Sequence, residues 1–167
     1  MPPADAAPGR ALDDFQQGIA TYYSATGEGN CSFDATPGDL MVTAMNTPQW
    51  EDSAVCGTCL EVQGPRGAVT VRVVDRCPEC ASGHLDLSRE AFARIAEPAQ
   101  GRVSIQWRRV ACAVEGPVAY RFKEGSSQWW VAIQVRNHRV PVQRLEVQRN
   151  GSWVDVRRAD YNYFVAD

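Results

Sequence analysis

Hydrophobic and polar positions alternate in short runs along most of this chain, the period of β-strands, and a single segment carries helical spacing. Gly18-Ile19-Ala20-Thr21-Tyr22-Tyr23 reads as a short strand, followed by a Ser/Thr/Gly/Asn loop that delivers Cys31. Residues 60–63 and 68–74 read as the arms of a hairpin turning at Gly64-Pro65-Arg66-Gly67, the second arm dense in β-branched side chains. Residues 103–110 alternate with period two and form another strand. The helix runs from Ser88 to Ala96: Ser88 suits the N-cap, Phe92, Ile95 and Ala96 share a face, and Pro98 ends it. After Gly116-Pro117 the pattern predicts short strands at 118–123, 130–136, 142–148 and 153–157, with Asn150-Gly151 as a tight hairpin turn and no second helix.

The 167 residues are 44% hydrophobic and 22% charged, which supports a buried core in one large domain or two small ones. The Ala- and Pro-rich residues 1–12 are expected to be a flexible leader, residues 13–115 a first β domain and residues 117–167 a second. No stretch reaches the roughly 18 apolar residues of a membrane span. No basic-then-apolar leader opens the chain, so any secretion signal is expected to have been removed already. Residues 1–116 carry 9 basic and 15 acidic side chains, residues 117–167 carry 8 and 5, and the whole chain has a net charge of −3. That asymmetry suggests two units of different character but is no basic stripe, which argues against nucleic acid or an anionic membrane as partner. About 51 residues are fewer than the roughly 100 that an immunoglobulin-type sandwich needs, so the second unit is expected to be incomplete.

Six cysteines sharpen the picture. Cys56-Gly-Thr-Cys59 and Cys77-Pro-Glu-Cys80 have zinc-ribbon spacing, which would leave Cys31 and Cys112 as spectators. An even cysteine count in a small chain fits a secreted disulfide framework equally well. Spacing alone leaves both readings open. Neither pair opens a helix in a βαβ setting, which disfavours a redox-active Cys-x-x-Cys.

Asp75 closes an apolar strand and Asp86 opens the turn into the helix, so the two carboxylates could project into one cleft, the apparatus of glycoside hydrolysis. The bland alternative is that Asp75 accepts backbone hydrogen bonds in a turn and Asp86 helps cap the helix. Residues 117–167 hold eight of the fifteen aromatics, more than a small β unit can hide. Trp129-Trp130 enters a strand, and exposed flat rings suit the apolar faces of sugars. His84 and His138 lie far apart and form no triad motif. Two glycosylation sequons, at Asn30 and Asn150, are read as chance.

Taken together, Gly18-Ile-Ala-Thr-Tyr-Tyr23, Cys56-Gly-Thr-Cys-Leu-Glu-Val62, Val74-Asp-Arg-Cys-Pro78, Gly83-His-Leu-Asp-Leu-Ser88 and the run from Tyr120 to Asn137 resemble a microbial expansin. The resemblance covers residue 13 to the end. It implies an all-β protein: a six-stranded double-psi β-barrel with a short helix, resembling family 45 endoglucanases, followed by an immunoglobulin-like carbohydrate-binding domain. It implies non-hydrolytic loosening of plant cell walls. Thr21, Asp75 and Asp86 match the groove of the barrel, Asp86 corresponding to the endoglucanase acid. Trp129, Trp130 and Tyr161 match the aromatic strip that stacks on glucan, with Lys123 beside it. Cys77 stands where expansins without cysteines can have a groove tyrosine. By similarity to plant expansins the disulfides are Cys31–Cys56, Cys59–Cys112 and Cys77–Cys80, with no metal and no cofactor. The early strand offers Thr21, Tyr22 and Tyr23 and no carboxylate to activate water, which argues against hydrolysis.

The expected partners are therefore cellulose and other wall glucans such as xyloglucan, with peptidoglycan a further candidate, for a secreted monomer. The acidic pI of about 5.4 favours a neutral polymer over pectin or teichoic acid. Two alternatives remain: a weak endoglucanase or lytic transglycosylase using one aspartate as acid, and a zinc-stabilised binding module.

Overall fold

Six strands close into a barrel because each carries an unbroken apolar face inward. The computed structural model describes residues 7–166. The barrel strands are β1 (Gln16–Tyr23), β2 (Val42–Asn46), β3 (Cys59–Gly64), β4 (Gly67–Cys77), β5 (His84–Ser88) and β6 (Val103–Val110), in the closed order β1-β5-β2-β4-β3-β6. Two neighbours, β1/β5 and β2/β4, run parallel and the rest antiparallel, so the barrel has no free edge to protect. Its interior is filled by fully buried Leu60, Val62, Val71, Val73, Leu85, Leu87 and Phe92. The helix α1 (Arg89–Ile95) begins where expected, with the Ser88 Oγ accepting from the Ala91 N–H at 3.0 Å, and it plugs the barrel with Ala91, Phe92 and Ile95.

Two expectations need correction. Asp86 lies inside β5 and not in a turn, because His84-Leu85-Asp86-Leu87 itself alternates polar and apolar and pairs with β1 and β2; the helix cap is Ser88, so capping is not the role of Asp86. Of the leader, residues 1–6 lie outside the described residues, whereas residues 9–12 are held against the end of β6. The Gly9 N–H donates to Ala111 O at 2.9 Å, Ala111 N–H to Arg10 O at 2.8 Å and Leu12 N–H to Arg109 O at 2.9 Å. β2, whose five residues are all buried, escaped the pattern because a strand without a polar face does not alternate.

The sulfurs pair as Cys31–Cys56, Cys59–Cys112 and Cys77–Cys80. All six are used, so the zinc-ribbon reading has no thiolate left to bind metal.

The second unit is a five-stranded antiparallel sheet of order β7-β8-β11-β10-β9, from β7 (Ala119–Phe122), β8 (Val131–Arg136), β9 (Leu145–Arg149), β10 (Ser152–Arg158) and β11 (Phe164–Ala166). One face gathers Val135, Val156 and Phe164 with Leu145 and Val147. The other gathers Ala132, Ala159, Tyr163 and Val165 with Trp130 packed on them, and at one end it rests on the barrel.

That seat is polar and directional. Gln134, fully buried, donates from Nε2 to Cys31 O at 3.0 Å and Ser32 O at 3.3 Å, while its Oε1 accepts from Arg136 Nε at 2.5 Å. The Asn162 Nδ2 donates to the same Cys31 carbonyl at 3.0 Å, and Ser53 Oγ donates to Ala159 O at 2.7 Å while accepting from Asn162 N–H at 2.9 Å. Trp50 Nε1 reaches Asp160 O at 3.2 Å. At the rim Asp34 accepts from Arg121 at 2.7 Å and Arg136 at 2.9 Å. These two guanidiniums hold the Asp34 carboxyl below its ordinary range. The connecting segment is tied back as well, Asn137 Nδ2 donating to Glu115 O and Pro117 O at 2.6 and 2.9 Å.

Truncating Gln134→Ala takes its donor from the Ser32 carbonyl and leaves the Cys31 carbonyl to Asn162 alone, a loss worth about 1–3 kcal/mol. The expected result is lower stability in urea unfolding and faster proteolytic cleavage between residues 112 and 118; an unchanged urea midpoint would show that the seat contributes nothing.

Candidate functional site

The outer face of the barrel carries the titratable cluster. In the parallel pair β1/β5, Thr21 stands opposite Asp86 and Ile19 opposite His84, so alternation sends Ala20, Leu85 and Leu87 inward and leaves Thr21, His84 and Asp86 together outside. Thr21 Oγ1 donates to Asp86 Oδ1 at 2.7 Å, and His84 Nε2 lies 2.8 Å from the same Thr21 oxygen. A hydroxyl has one hydrogen. With Asp86 ionised, that hydrogen is committed to the carboxylate, so His84 must donate and carries its proton on Nε2. Burial pushes the Asp86 carboxyl above its ordinary value, against the Thr21 hydrogen bond, which lowers it. Burial and the nearby Arg102 charge push His84 below its ordinary value, which keeps the ring neutral.

Asp75 borders the same groove on β4. Its Oδ1 accepts from the backbone N–H groups of Asn30 and Arg76, both at 2.8 Å. The bland reading of Asp75 thus describes one of its oxygens. Gly29 allows this contact, since a Cβ there would stand 2.4 Å from the Asp75 Cγ. Tyr23 joins the cluster through the field of the two carboxylates: burial first, then the charges of Asp75 and Asp86, oppose ionisation of its hydroxyl, which is buried without a hydrogen-bond partner. Tyr22 points the other way, its ring 4.8 Å from Phe92 and its hydroxyl on Pro98 O at 3.0 Å. The strand that could have supplied a base therefore presents a threonine and a tyrosine to the groove and no carboxylate.

On the second sheet, Tyr161, Tyr163, Lys123 and Trp130 converge on one face. The rings of Tyr161 and Tyr163 are 5.8 Å apart, the Lys123 Nζ lies 5.7 Å from the Tyr163 centroid, and Trp130 packs on the cluster that contains Tyr163. Trp129 beside it is 79% exposed, the most open of the large apolar side chains among the described residues. Ser127 Oγ accepts from the N–H groups of both tryptophans and fixes the turn that presents them. The backbone of Tyr161 accepts from Ser32 Oγ at 2.9 Å. The loop from Gly29 to Ser32 therefore touches Asp75 at one end and Tyr161 at the other.

A sequence profile for a family described as lytic transglycolase matches residues 16–107. Expansin-YoaJ of Bacillus subtilis is 43% identical over 161 residues, spanning 93% of this chain and 69% of the relative. The chain belongs to the expansin family. A Clavibacter michiganensis expansin variant crystallised in complex with cellohexaose superposes with a TM-score of 0.85 at 41% identity, covering 91% of this chain and 78% of that one. Expansin-B16 of Oryza sativa is 31% identical over 180 residues, covering 89% of this chain and 66% of the relative. The chain thus spans about two thirds of the length of these curated expansins.

Of the residues the resemblance assigned, Thr21 and Asp86 are hydrogen-bonded with the Asp75 charge close by, and Trp130, Tyr161 and Lys123 gather about Tyr163, while Trp129 stands exposed next to Trp130 in the chain. The sequence reading missed His84, set aside for lack of a triad partner, although its position two residues before Asp86 on a strand was the available signal. It missed Tyr23 and Tyr163 for a different reason: only the pairing partners reveal which side a tyrosine takes. Cys77, where a groove tyrosine was the alternative, is buried with Cys80 and Ala44 beneath Tyr23.

Because the folded state raises the Asp86 pKa above the ordinary 3.8, the folded chain holds this proton more tightly, so stability falls as pH rises through the folded value. Asp86→Asn is expected to melt higher than the wild type at pH 7, with the gap closing below about pH 4. Thr21→Val removes the hydrogen bond that opposes the shift, and NMR titration of the Asp86 carboxyl should move further upward.

Proposed function

We propose that this expansin binds cellulose through Trp129, Trp130 and Tyr161, assisted by Lys123, and loosens glucan assemblies without cleaving them through the groove of Thr21, Asp75 and Asp86. The observation that carries this reading is the Gly29–Ser32 loop, whose Asn30 N–H bonds Asp75 and whose Ser32 Oγ bonds the Tyr161 carbonyl, so that one short segment ties the groove to the aromatic face. Flat aromatics stack on the apolar faces of the sugar rings while the rim hydroxyls stay wet. In the groove, a partly desolvated carboxyl held by Thr21 and backed by His84 competes for glucan hydroxyls with neighbouring glucan chains. An inverting cleavage would need a base that activates water opposite the acid, and β1 offers only Thr21 and Tyr23 there.

Three disulfides fit an oxidising compartment, in keeping with a secreted, wall-acting protein. The same face would accept other neutral wall glucans such as xyloglucan. The 9 basic and 15 acidic side chains of residues 1–116 disfavour acidic polymers at the groove.

The test pairs binding with chemistry. In an insoluble-cellulose pull-down the wild type is expected to bind and Trp129→Ala/Trp130→Ala to lose at least about tenfold in affinity, roughly 1.4 kcal/mol, with no soluble sugar released by either. Asp86→Asn is expected to keep binding and lose the extension of loaded wall strips. Soluble or reducing-end sugar released by the wild type and abolished in Asp86→Asn would replace this reading with a glycan-cleaving enzyme using Asp86 as its acid.

A further inference from the structure

Trp153 belongs to none of the assignments above, yet 66% of it is exposed. It lies in β10, paired with Gln148 of β9. Its side of the sheet follows from alternation. Val156, three residues on, is buried with Val135 and Phe164 on the far face, so Trp153, Asp155 and Arg157 project from the opposite one. Arg157 pairs with Val165, and Val165 pairs with Ala132, both members of the cluster on which Trp130 packs. Trp153 therefore shares the sheet face of Trp130 and Tyr163.

Register also places Trp153 within that face. β8, β11 and β10 are successive neighbours, so Trp153 lies two strand spacings, roughly 10 Å, to the side of Trp130. Continuing the register from Ala132, Val165 and Arg157 puts Trp130 level with Asp155, so Trp153 stands one further row of side chains along, roughly 7 Å. The strip of Tyr161, Tyr163 and Trp130 follows the direction of β8 and β11, and a glucan chain lying on it passes Trp153 by. An exposed tryptophan contributes little to the fold and adds an association liability, which gives its placement on the same face as Trp130 and Tyr163 a functional sense.

We propose that Trp153 is a second lane of the binding face, stacking on a glucan chain that runs beside the chain held by Trp129, Trp130 and Tyr161. The proposal rests on the cellulose-binding reading above and narrows it: the preferred ligand is an insoluble β-1,4-glucan surface, where parallel chains lie side by side, over a single soluble chain. Gln148 and Asp155 flank the ring with groups able to hydrogen-bond sugar hydroxyls.

The experiment measures two ligands with one set of variants: depletion binding to microcrystalline cellulose and calorimetric titration with soluble cellohexaose. Trp153→Ala is expected to weaken binding to microcrystalline cellulose by about 3–10-fold, the range of one aromatic stacking contact, and to leave the cellohexaose affinity within about twofold. Retained cellohexaose binding also reports that the variant is folded. Trp153→Tyr keeps a flat ring and is expected to restore most of the binding to the insoluble polymer. Trp129→Ala/Trp130→Ala is expected to weaken both ligands. Loss of binding to microcrystalline cellulose in the double variant but not in Trp153→Ala overturns the second lane and leaves the cellulose reading standing. Equal weakening of both ligands by Trp153→Ala places the ring on the first chain and overturns it too. A dimer in sedimentation that Trp153→Ala dissolves would assign the ring to a second copy of the chain instead. A wild type that binds neither ligand overturns the proposal together with the reading beneath it.

Discussion

The alignment of the groove with the aromatic face is anchored on two main-chain carbonyls, those of Cys31 and Ser32. They sit where barrel and sheet meet, and a carbonyl shut away from water needs a donor. Gln134 and Asn162 supply the donors from the sheet, and the Cys31–Cys56 disulfide pins the loop that offers the acceptors. An apolar seat would tolerate sliding, because hydrophobic contact has no direction. Hydrogen bonds to fixed carbonyls set an angle. Ser53 enforces the same angle from the barrel side, at the end of three successive residues, Glu51, Asp52 and Ser53, with φ of 54°, 49° and 68°. Left-handed backbone of this kind costs non-glycine residues roughly 1–2 kcal/mol each, and here it turns the Ser53 hydroxyl toward Ala159 and Asn162.

The groove shows how one threonine sets the state of two titratable neighbours. With a single hydrogen to give, Thr21 stabilises ionised Asp86 and obliges His84 to donate in turn. The raised carboxyl and the lowered imidazole have the same leading cause, burial against the barrel wall, which opposes charge of either sign. A carboxyl that ionises reluctantly holds its proton to higher pH than an exposed one.

How much of this was legible in the chain depends on what each residue's signal requires. The barrel strands with one polar face, the helix with its Ser88 cap and the Asn150-Gly151 turn were all local patterns, and they were readable. β2 was not, because five buried residues in a row carry no period. The placement of Asp86 failed for a different reason: a short alternating run directly before a helix looks like its approach, and only pairing with Thr21 on one side and Ala44 on the other makes it a strand. The cysteines were undecidable from spacing, since zinc-ribbon and disulfide geometries share it; resemblance separated the two. Gln134 gave no signal at all. A glutamine in an alternating strand reads as solvent-facing, and its burial follows from a partner more than a hundred residues earlier in the chain.

The same alternation explains why this sheet can hold its aromatics in the open. On β7 and β8 the residues that meet the barrel at one end, Arg121 and Gln134, share a side of the sheet with Lys123 and Trp130 further along, so one side supplies both the seat and the aromatic cluster. Gln134 of β8 is locked under the barrel loop, and Trp130, just before β8 begins, lies on the same side where the barrel no longer covers it. A register slip of one residue would bury Lys123 and expose Ala132's neighbours on the wrong face. Seat and strip are therefore not independent features joined by a linker. Fixing the buried amide of Gln134 fixes, through the rigid period of the strand, which way the rings beyond it point.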